Sequence, residues 1–471
     1  MSKKAVIILA AAVVLLFGGI AAVALGVFVS PSDADPLQTE GEPDGLVLYS
    51  VGNGTVSAVE ITASDGERFS LVLSGGVWSC PEKPFVELDK EKLSDLLSVF
   101  SSVNAERVVT ENADDLSEFG FDEPSCTVSV TDAADRRVTF VAGMKNPVLG
   151  SYYFMLQGES KVYLVSSDIV ERLSPSLSEL AAYSALPMFD YSEVTDLCIK
   201  NSGGMLDFAL WSEPNEKSYT DAYKWFTSDG ETALSEDAVR ALVSDIMEIY
   251  IDSVADASPE DISIYGFDGD EVYINVNYTS GGDAGCLSLR LGDMTEDGSM
   301  CYAMTDGSES VFLIEADLVD FADVIRLEDF VSRDVCLIKL GEVESVSIYC
   351  GGADFKLEVE REYVTQGGSG EPVLVGTSYT VDGKKIAKEK VEAFFTALNE
   401  LSCDGYADSR EGERVAELTF VRNTDRFTEM TLSLYSYDTS FCRASLDGND
   451  GMLVNRKAVE SLIAAIGALA E

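Results

Sequence analysis

The chain has no histidine among its 471 residues, so it lacks the side chain that most often transfers protons near neutral pH. This excludes Ser-His-Asp and Cys-His nucleophile arrangements, as well as a zinc-binding His-Glu-x-x-His helix. The sequence also contains no Gly-x-x-x-x-Gly-Lys-[Ser/Thr] phosphate loop, which excludes nucleotide hydrolysis by that route. Among simple catalytic arrangements, a pair of carboxyl groups acting as general acid and base remains.

One acidic cluster has the residue types for such chemistry. Asp268, Asp270 and Glu271 follow a Gly-Phe pair, and glycoside hydrolysis needs two carboxyl groups at a set separation. However, Asp-Gly-Asp is also typical of a turn with solvated charges. A chain with 82 acidic residues contains many such pairs by chance. We interpret the cluster as a turn and keep a carboxylate-based glycan hydrolase as the weakest functional hypothesis.

A second acidic segment, Asp-Gly-Asn-Asp-Gly at 447–451, resembles the start of a calcium-binding loop. Its fifth position is Gly451 and its twelfth is Ala458, so two oxygen ligands of that loop are missing. The segment predicts a hairpin turn between strands at 441–444 and 452–454. We predict no catalytic residue, no metal site and no cofactor, and the ligand-binding residues stay open.

Three tryptophans, Trp78, Trp211 and Trp225, could form a sugar-binding face. Two of them recur with Tyr379 at one position of an internal repeat, which favours packing in the core over ligand binding.

The repeat is visible as one apolar spacing used three times. The offsets i, i+3, i+4, i+7 and i+10 place five side chains on one face of a helix, and copies about 150 residues apart indicate one unit used three times. The three sets are Leu93, Leu96, Leu97, Phe100 and Val103; Val239, Leu242, Val243, Ile246 and Ile249; and Val391, Phe394, Phe395, Leu398 and Leu401.

Alternating strand patterns around a Gly-containing turn precede each helix, and a meander follows it. We predict an α+β fold, with an N-terminal transmembrane helix followed by three tandem repeats of β-hairpin, helix, antiparallel β-meander and short helix. The predicted segments are a cytoplasmic stub 1–4, a transmembrane helix 5–29, a flexible linker 30–45, and repeat units at 46–190, 191–340 and 341–471.

The N-terminal segment predicts the cellular location of the protein. Residues 5–29 are uncharged and largely apolar, and 25 residues at 1.5 Å rise span about 37 Å, enough to cross a bilayer. Lys3 and Lys4 precede the segment and acidic residues follow it, which predicts a cytoplasmic N-terminus and an extracytoplasmic remainder. Cleavage after Ala22-Val23-Ala24 is the alternative.

The charge of the chain excludes one class of partner. A formal charge of −49 repels phosphate backbones, so nucleic acid is excluded. The excess of carboxylates favours solubility of an exposed protein, with a diffuse cation-collecting surface as the alternative. The chain has nine cysteines, an odd number, and no Cys-x-x-Cys. Several lie in strand-like segments, which is typical of small buried apolar residues, and one or two disulfide bridges between units are the alternative.

Three motifs resemble a known family: Leu-Ser-Glu-Phe-Gly-Phe-Asp-Glu-Pro at 116–124, Tyr-Tyr at 152–153 and Val-Tyr-Leu-Val at 162–165. Together with the N-terminal segment, they resemble the domain-of-unknown-function family numbered 4340. The likeness is best over residues 58–185, weaker over 195–335, and in 343–471 rests on the hairpin, the helix and the last strand. The resemblance implies a bacterial, membrane-anchored extracytoplasmic protein, often linked with ABC-type export or gliding-motility transporter subunits. It implies no activity and no functional residues.

These observations lead to a non-enzymatic, single-pass accessory or scaffold protein of the cell membrane, with an ABC-type permease as the expected partner. The alternative is a cell-envelope module that binds glycan, peptide or cation. A concave site with converging Tyr, Trp and carboxylate groups would favour that alternative.

Overall fold

The computed structural model describes residues 46–51, 55–63, 66–365, 372–407 and 412–471. Strands hold 44% and helices 20% of these residues, in four antiparallel sheets. The expected α+β class is therefore wrong, because the described chain is mainly β. Several strands that the sequence patterns did not reveal add to the β content, as described below.

The first unit contains one large sheet with helices on one face. Its elements are β1 (Leu46–Tyr49), β2 (Val56–Ala63), β3 (Arg68–Ser74), β4 (Val77–Ser79), α1 (Lys90–Val99), β5 (Val103–Ala105), β6 (Arg107–Thr110), β7 (Cys126–Asp132), β8 (Arg137–Lys145), β9 (Tyr152–Leu156), β10 (Val162–Val165), α2 (Ser167–Leu173) and α3 (Leu177–Leu180). The sheet order is β4-β3-β2-β7-β8-β9-β10-β6, and β1 pairs with β5 separately.

The second unit repeats this order in a sheet of eight strands. Its elements are β11 (Val194–Asn201), β12 (Gly204–Leu210), β13 (Trp225–Thr227), α4 (Glu236–Met247), β14 (Ser253–Asp256), β15 (Val272–Ser280), β16 (Asp283–Met294), β17 (Met300–Thr305), β18 (Val311–Glu315) and α5 (Phe321–Val324). The sheet order is β13-β12-β11-β15-β16-β17-β18-β14.

The third unit adds a short edge strand and a long terminal helix. Its elements are β19 (Val343–Cys350), β20 (Ala353–Thr365), β21 (Pro372–Val381), β22 (Lys384–Lys385), α6 (Lys388–Asn399), β23 (Cys403–Tyr406), β24 (Arg414–Arg422), β25 (Glu429–Ser436), β26 (Phe441–Leu446), β27 (Asn449–Asn455) and α7 (Arg456–Ala470). The sheet order is β22-β21-β20-β19-β24-β25-β26-β27-β23.

The predicted helices and opening hairpins are confirmed. β2–β3, β11–β12 and β19–β20 pair as antiparallel hairpins. All members of the three apolar sets are buried except Leu97, which is half-buried. The helices are shorter than the spacing predicted, since α1 ends at Val99, α4 at Met247 and α6 at Asn399. The last residues of each set continue into the core after the helix has ended.

Two strands in each unit were missed by the sequence patterns. Before the helix, β4, β13 and β21 extend the opening hairpins. After the helix has crossed the sheet, β6, β14 and β23 pair with the last meander strands β10, β18 and β27. Each of these strands has 4 residues, too few for a clear alternation. The expected short closing helix is also wrong for the third unit, where α7 has 15 residues.

The Gly-Phe element of the first two units, residues 119–122 and 265–268, forms a tight turn. Gly120 and Gly266 end short 3-10 turns with φ of 78° and 86°. The turns rest on the neighbouring strand so closely that a Cβ on Gly143 would lie 2.2 Å from the Phe119 carbonyl oxygen. A Cβ on Gly292 would lie 2.1 Å from the equivalent oxygen of Tyr265. Glycine is therefore required on both sides of this contact.

No helix in the described ranges is long and apolar enough to cross a membrane. The transmembrane helix of the expected fold class has no counterpart in these ranges. Residues 5–29, on which that expectation rested, lie outside the described residues, as do the stub 1–4 and the linker 30–45.

Candidate functional site

The acidic cluster after the second Gly-Phe pair forms a loop ahead of β15. Asp268 and Asp270 are exposed, and the Asp268 carboxylate accepts a 3.3 Å hydrogen bond from the Asp270 backbone N–H. Glu271 instead accepts hydrogen bonds from the Gly269 N–H at 2.7 Å and from Arg290 Nε at 2.8 Å, and it also pairs with Arg290 Nη2. The Asp268 and Glu271 carboxylates therefore hold a turn together, as the turn interpretation predicts.

The charge state of Glu271 argues against a role as a general acid. Burial raises its pKa, but its hydrogen bonds, including those from Arg290 and Gly269, and the Arg290 charge outweigh burial and hold the pKa below its usual value. A glycosidase acid needs a raised pKa. Burial and the nearby Glu248 do raise the pKa of Asp245. However, Asp245 on α4 and Glu248 directly after it are both exposed, and neither lines one of the clefts described below.

The predicted hairpin turn is confirmed, but it occupies only Asp447 and Gly448, because β27 already begins at Asn449. Leu446 pairs with Asn449 across the two-residue turn, and Asp447 and Gly448 both have positive φ, 48° and 85°. The Asp447 carboxylate accepts a 2.6 Å hydrogen bond from the Thr431 N–H. Within the described ranges, no group of three or more Cys, Asp or Glu side chains could hold a metal ion.

The repeated aromatic residues lie in the sheet cores. Trp78, Trp225 and Tyr379 stand opposite Leu73, Leu210 and Val359 in equivalent registers. Trp225 is 1% exposed and donates a 2.8 Å hydrogen bond from Nε1 to the Tyr191 hydroxyl. Packing is therefore confirmed for Trp225 and Tyr379, while Trp78 is half-buried against the first core. Trp211, the third tryptophan, packs edge-on against Phe226, with ring centroids 6.0 Å apart.

The sequence did not reveal the sites that the structure places between units. At the first junction, Ile251, Val254 and Phe312 of the second unit pack into the core of the first. The Tyr183 hydroxyl donates to the Asp252 carbonyl at 2.9 Å, and the Ser178 hydroxyl accepts from the Ala257 N–H at 3.0 Å. The first two units are thus joined through buried apolar contacts and hydrogen bonds.

A cleft of about 500 Å³ opens beside this junction, and we call it the first junction cleft. Its aromatic lining is Phe85, Tyr183 and Phe312, and its carboxylates are Glu87, Asp306 and Glu309. Phe85 is 82% exposed, and the Tyr183 and Phe312 rings lie 6.1 Å apart. An aromatic side chain so exposed at a concave surface is typical of a binding site.

The second junction is closed by an insertion, residues 211–224, between β12 and β13. Tyr219 packs against the core of the third unit, and its hydroxyl accepts a 2.9 Å hydrogen bond from the Leu337 N–H. Tyr223 lies edge-on to Tyr219, with ring centroids 6.3 Å apart. Burial raises the pKa of Tyr219 to about 12 and also raises that of Tyr223. The insertion therefore connects two units through the half-buried Tyr219, with Tyr223 packed against it.

The space left beside the insertion is smaller than the first cleft. This second junction cleft has a volume of about 320 Å³ and includes Tyr219, Tyr223, Tyr406, Asp334 and Asn449. A third cleft of about 700 Å³ lies across the connecting segment, beside the first turn of α4.

A β-ribbon extends from the third sheet, and we call it the arm: residues 359–365 and 372–378. β20 pairs with β19 only as far as Glu358, whereas β20 and β21 stay paired out to Thr365 and Pro372. The base is fixed by Arg361, whose Nη2 donates to the carbonyl oxygens of Leu340, Gly341 and Val343 at 2.9–3.0 Å. The arm exposes five apolar side chains, namely Tyr363, Val364, Val373, Leu374 and Val375, at 44–57%.

Three similar antiparallel sheets, each crossed by a helix and joined by packed junctions, define a tandem-repeat β protein. The chain belongs to the family described as Domain of unknown function (DUF4340), whose profile matches residues 78–224 and 225–418, more than half of the chain. Neither a curated protein nor a solved structure matches it. The family expected from the sequence motifs is confirmed, and the transporter association stays a prediction.

Proposed function

We propose that this protein is a non-enzymatic accessory or scaffold subunit that works on the extracytoplasmic side of the cell membrane, with an ABC-type permease complex as its partner. The observation that carries the proposal is the arm. Large apolar side chains that stay exposed and contiguous are typical of surfaces that bind another protein.

The arm is apolar on both of its faces. Tyr363 stands opposite Leu374, and Val364 stands opposite Val373, so these two pairs point to opposite sides of the ribbon. Residues 363–365 and 372–378 carry no charge, although 24% of the whole chain is charged. A ribbon of this kind suits insertion into an apolar groove of a partner better than contact on one flat side.

The packed junctions support a scaffold. The connecting segment between the second and third units bonds to both, since the Ser332 N–H donates to Ala233 at 2.9 Å and the Arg333 carbonyl accepts from the Cys403 N–H at 2.7 Å. Repeats joined in this way present surfaces at fixed spacing, which favours the holding of partners over catalysis.

The test is cross-linking in cells, followed by detergent extraction, capture through a C-terminal tag and mass spectrometry. We expect a multi-pass permease in near-stoichiometric yield with the wild-type protein. The double variant Tyr363→Ser, Leu374→Ser should lose most of it, at least about tenfold. Val148→Ser, which changes a side chain that is 88% exposed on the first unit, is the matched control and should capture as wild type does.

Two results would contradict the proposal. One is recovery of this chain alone while a known membrane complex cross-links normally in the same cells. The other is equal capture by the arm variant and the wild type. Protease treatment of intact cells tests the location, because digestion of the tagged domain from outside requires an extracytoplasmic chain.

A second candidate function is supported by the first junction cleft. Aromatic and carboxylate groups converge there, as expected for a cell-envelope module that binds glycan, peptide or cation. Binding of an envelope ligand by the purified chain, without a permease partner in cells, would favour this function.

A further inference from the structure

The two junction clefts occupy equivalent places in the repeat. In each of the first two units, the segment before the helix pairs with the segment that leaves the unit. The Asp89 N–H donates to Leu180 at 2.8 Å in the first unit, and the Ser235 N–H donates to Phe330 at 2.7 Å in the second. These paired segments form one wall of each cleft.

The opposite wall is also equivalent, and it comes from the following unit. In the first cleft it is formed by the end of β14 and the turn between β17 and β18, including Asp306 and Glu309. In the second cleft it is formed by the end of β23 and the turn between β26 and β27, including Tyr406 and Asn449. The strands β14 and β23 each pair with the last meander strand of their sheet, which fixes the correspondence.

The clefts differ in what lies inside them. The second unit carries the insertion 211–224 where the first unit has only the two-residue turn Gly75-Gly76 between β3 and β4. The insertion fills the second cleft with Tyr219 and Tyr223, and its Asn215 side chain donates to the Gly230 carbonyl at 2.8 Å. The first cleft has no such segment among the described residues, and Phe85 at its edge stays 82% exposed.

We propose that the first junction cleft binds a peptide segment of a partner protein that carries aromatic and basic side chains, in the place that the insertion takes in the second cleft. The insertion in the second junction cleft thus indicates the chemistry of the segment that binds in the first. Tyr183 and Phe312 offer ring faces and edges for aromatic side chains. The carboxylates of Glu87, Asp306 and Glu309 favour a cation. The nearby lysines contact other groups, since Lys83 donates to the Ser258 carbonyl at 3.1 Å and Lys92 lies over the Tyr183 ring.

The proposal deepens the scaffold function by naming the kind of segment bound, and purified components test it separately. The probe is a fluorescein-labelled, end-capped peptide with the sequence of residues 217–224, Lys-Ser-Tyr-Thr-Asp-Ala-Tyr-Lys. We expect saturable binding to the full chain by fluorescence anisotropy. Phe85→Ala should weaken it about tenfold or more, whereas Val148→Ala should leave it unchanged.

The site is located with a second peptide, in which the tyrosine corresponding to Tyr219 is replaced by photoreactive benzoylphenylalanine. Cross-links within residues 85–87, 182–184 or 305–312 support the proposal. It is overturned by no saturable binding, by equal binding of a peptide with both tyrosines changed to serine, or by cross-links elsewhere, including the second cleft. The proposal is also overturned if excess unlabelled peptide does not displace the labelled one, or if a chitin oligosaccharide binds in its place. A failure here leaves the permease result in cells untouched, so the two proposals can fail separately.

Discussion

At the scale of single residues, the third unit shows how one exchange removes a whole element. Tyr435 occupies the strand position of Gly143 and Gly292, and Arg443 occupies the position of Tyr153 and Tyr302. The Arg443 guanidinium lies 5.2 Å from the centre of the Tyr435 ring and is 1% exposed. A tyrosine side chain fills the space that the Gly-Phe turn needs. This explains why the third unit lacks that motif.

The cysteines lead to a prediction at the same scale. All nine lie in the described ranges as free thiols, and Cys286 is the one that is exposed. Burial raises the pKa of several others, including Cys301 to about 11, which keeps them as unreactive thiols. We expect one fast-reacting thiol per native chain with a disulfide reagent such as DTNB, at least about tenfold faster than the rest.

The Cys286→Ser variant identifies that thiol. Its native form should lose the fast phase and keep the slow one, and denaturation should release eight thiols in place of nine. Several fast phases in the wild type, or a fast phase that survives in Cys286→Ser, would show that the cores open more readily than the packing indicates.

At the scale of elements, the Gly-Phe turn is held by a contact that only glycine permits. A substitution of Gly143→Ala places a Cβ 2.2 Å from a backbone carbonyl oxygen, which cannot move aside cheaply. We expect it to lower the free energy of unfolding by about 1–3 kcal/mol, as other overpacked sites do. Thermal unfolding followed by circular dichroism measures the loss.

Gly341→Ala is the matched control, because a Cβ at Gly341 meets no atom within 4 Å and its φ is not in the left-handed region. Its melting temperature should stay within about 1 °C of the wild type. If Gly143→Ala melts like this control, the turn is not held against β8 in solution as the structure places it.

The elements also show which parts of the fold the sequence could predict. The apolar spacing from Val239 to Ile249 and the alternation around Gly203-Gly204 depend on local periods, and both were predicted correctly. The pairing of β6, β14 and β23 depends on contacts between distant segments, so no local pattern reveals it. The first junction cleft is formed by two units together, and Phe85 has no sequence signal beyond being an apolar residue in a loop. Tyr219 and Tyr223, in contrast, stand in a segment that the first unit lacks, which a closer comparison of the repeats could have found.

At the scale of the whole molecule, the junctions decide whether the units act as separate domains. The first and second units share one apolar cluster, and the segment at 335–338 that leaves the second unit is buried in the core of the third. Cys336 and Ile338 are each about 1% exposed or less. Such shared cores predict coupled unfolding of neighbouring units, unlike domains on flexible linkers.

Tyr219 offers the sharpest test of this coupling, through its dependence on pH. Burial raises its pKa from 10.0 to about 12. Between these values, the unfolded chain gives up the proton while the folded chain keeps it, so the stability that Tyr219 contributes is full below pH 10 and falls as pH rises.

At pH 8 the Tyr219→Phe variant should be less stable by about 1–2 kcal/mol, because the Leu337 N–H loses its acceptor. Between pH 10 and pH 12 this deficit should shrink by about 1–2 kcal/mol, since phenylalanine has no proton to lose. Urea unfolding followed by tryptophan fluorescence measures both values, and Tyr437→Phe, which changes a side chain that is 44% exposed, is the control. A deficit that stays constant with pH, or one that the control shares, would mean that the hydroxyl is not buried at the junction and that the insertion does not connect the two units.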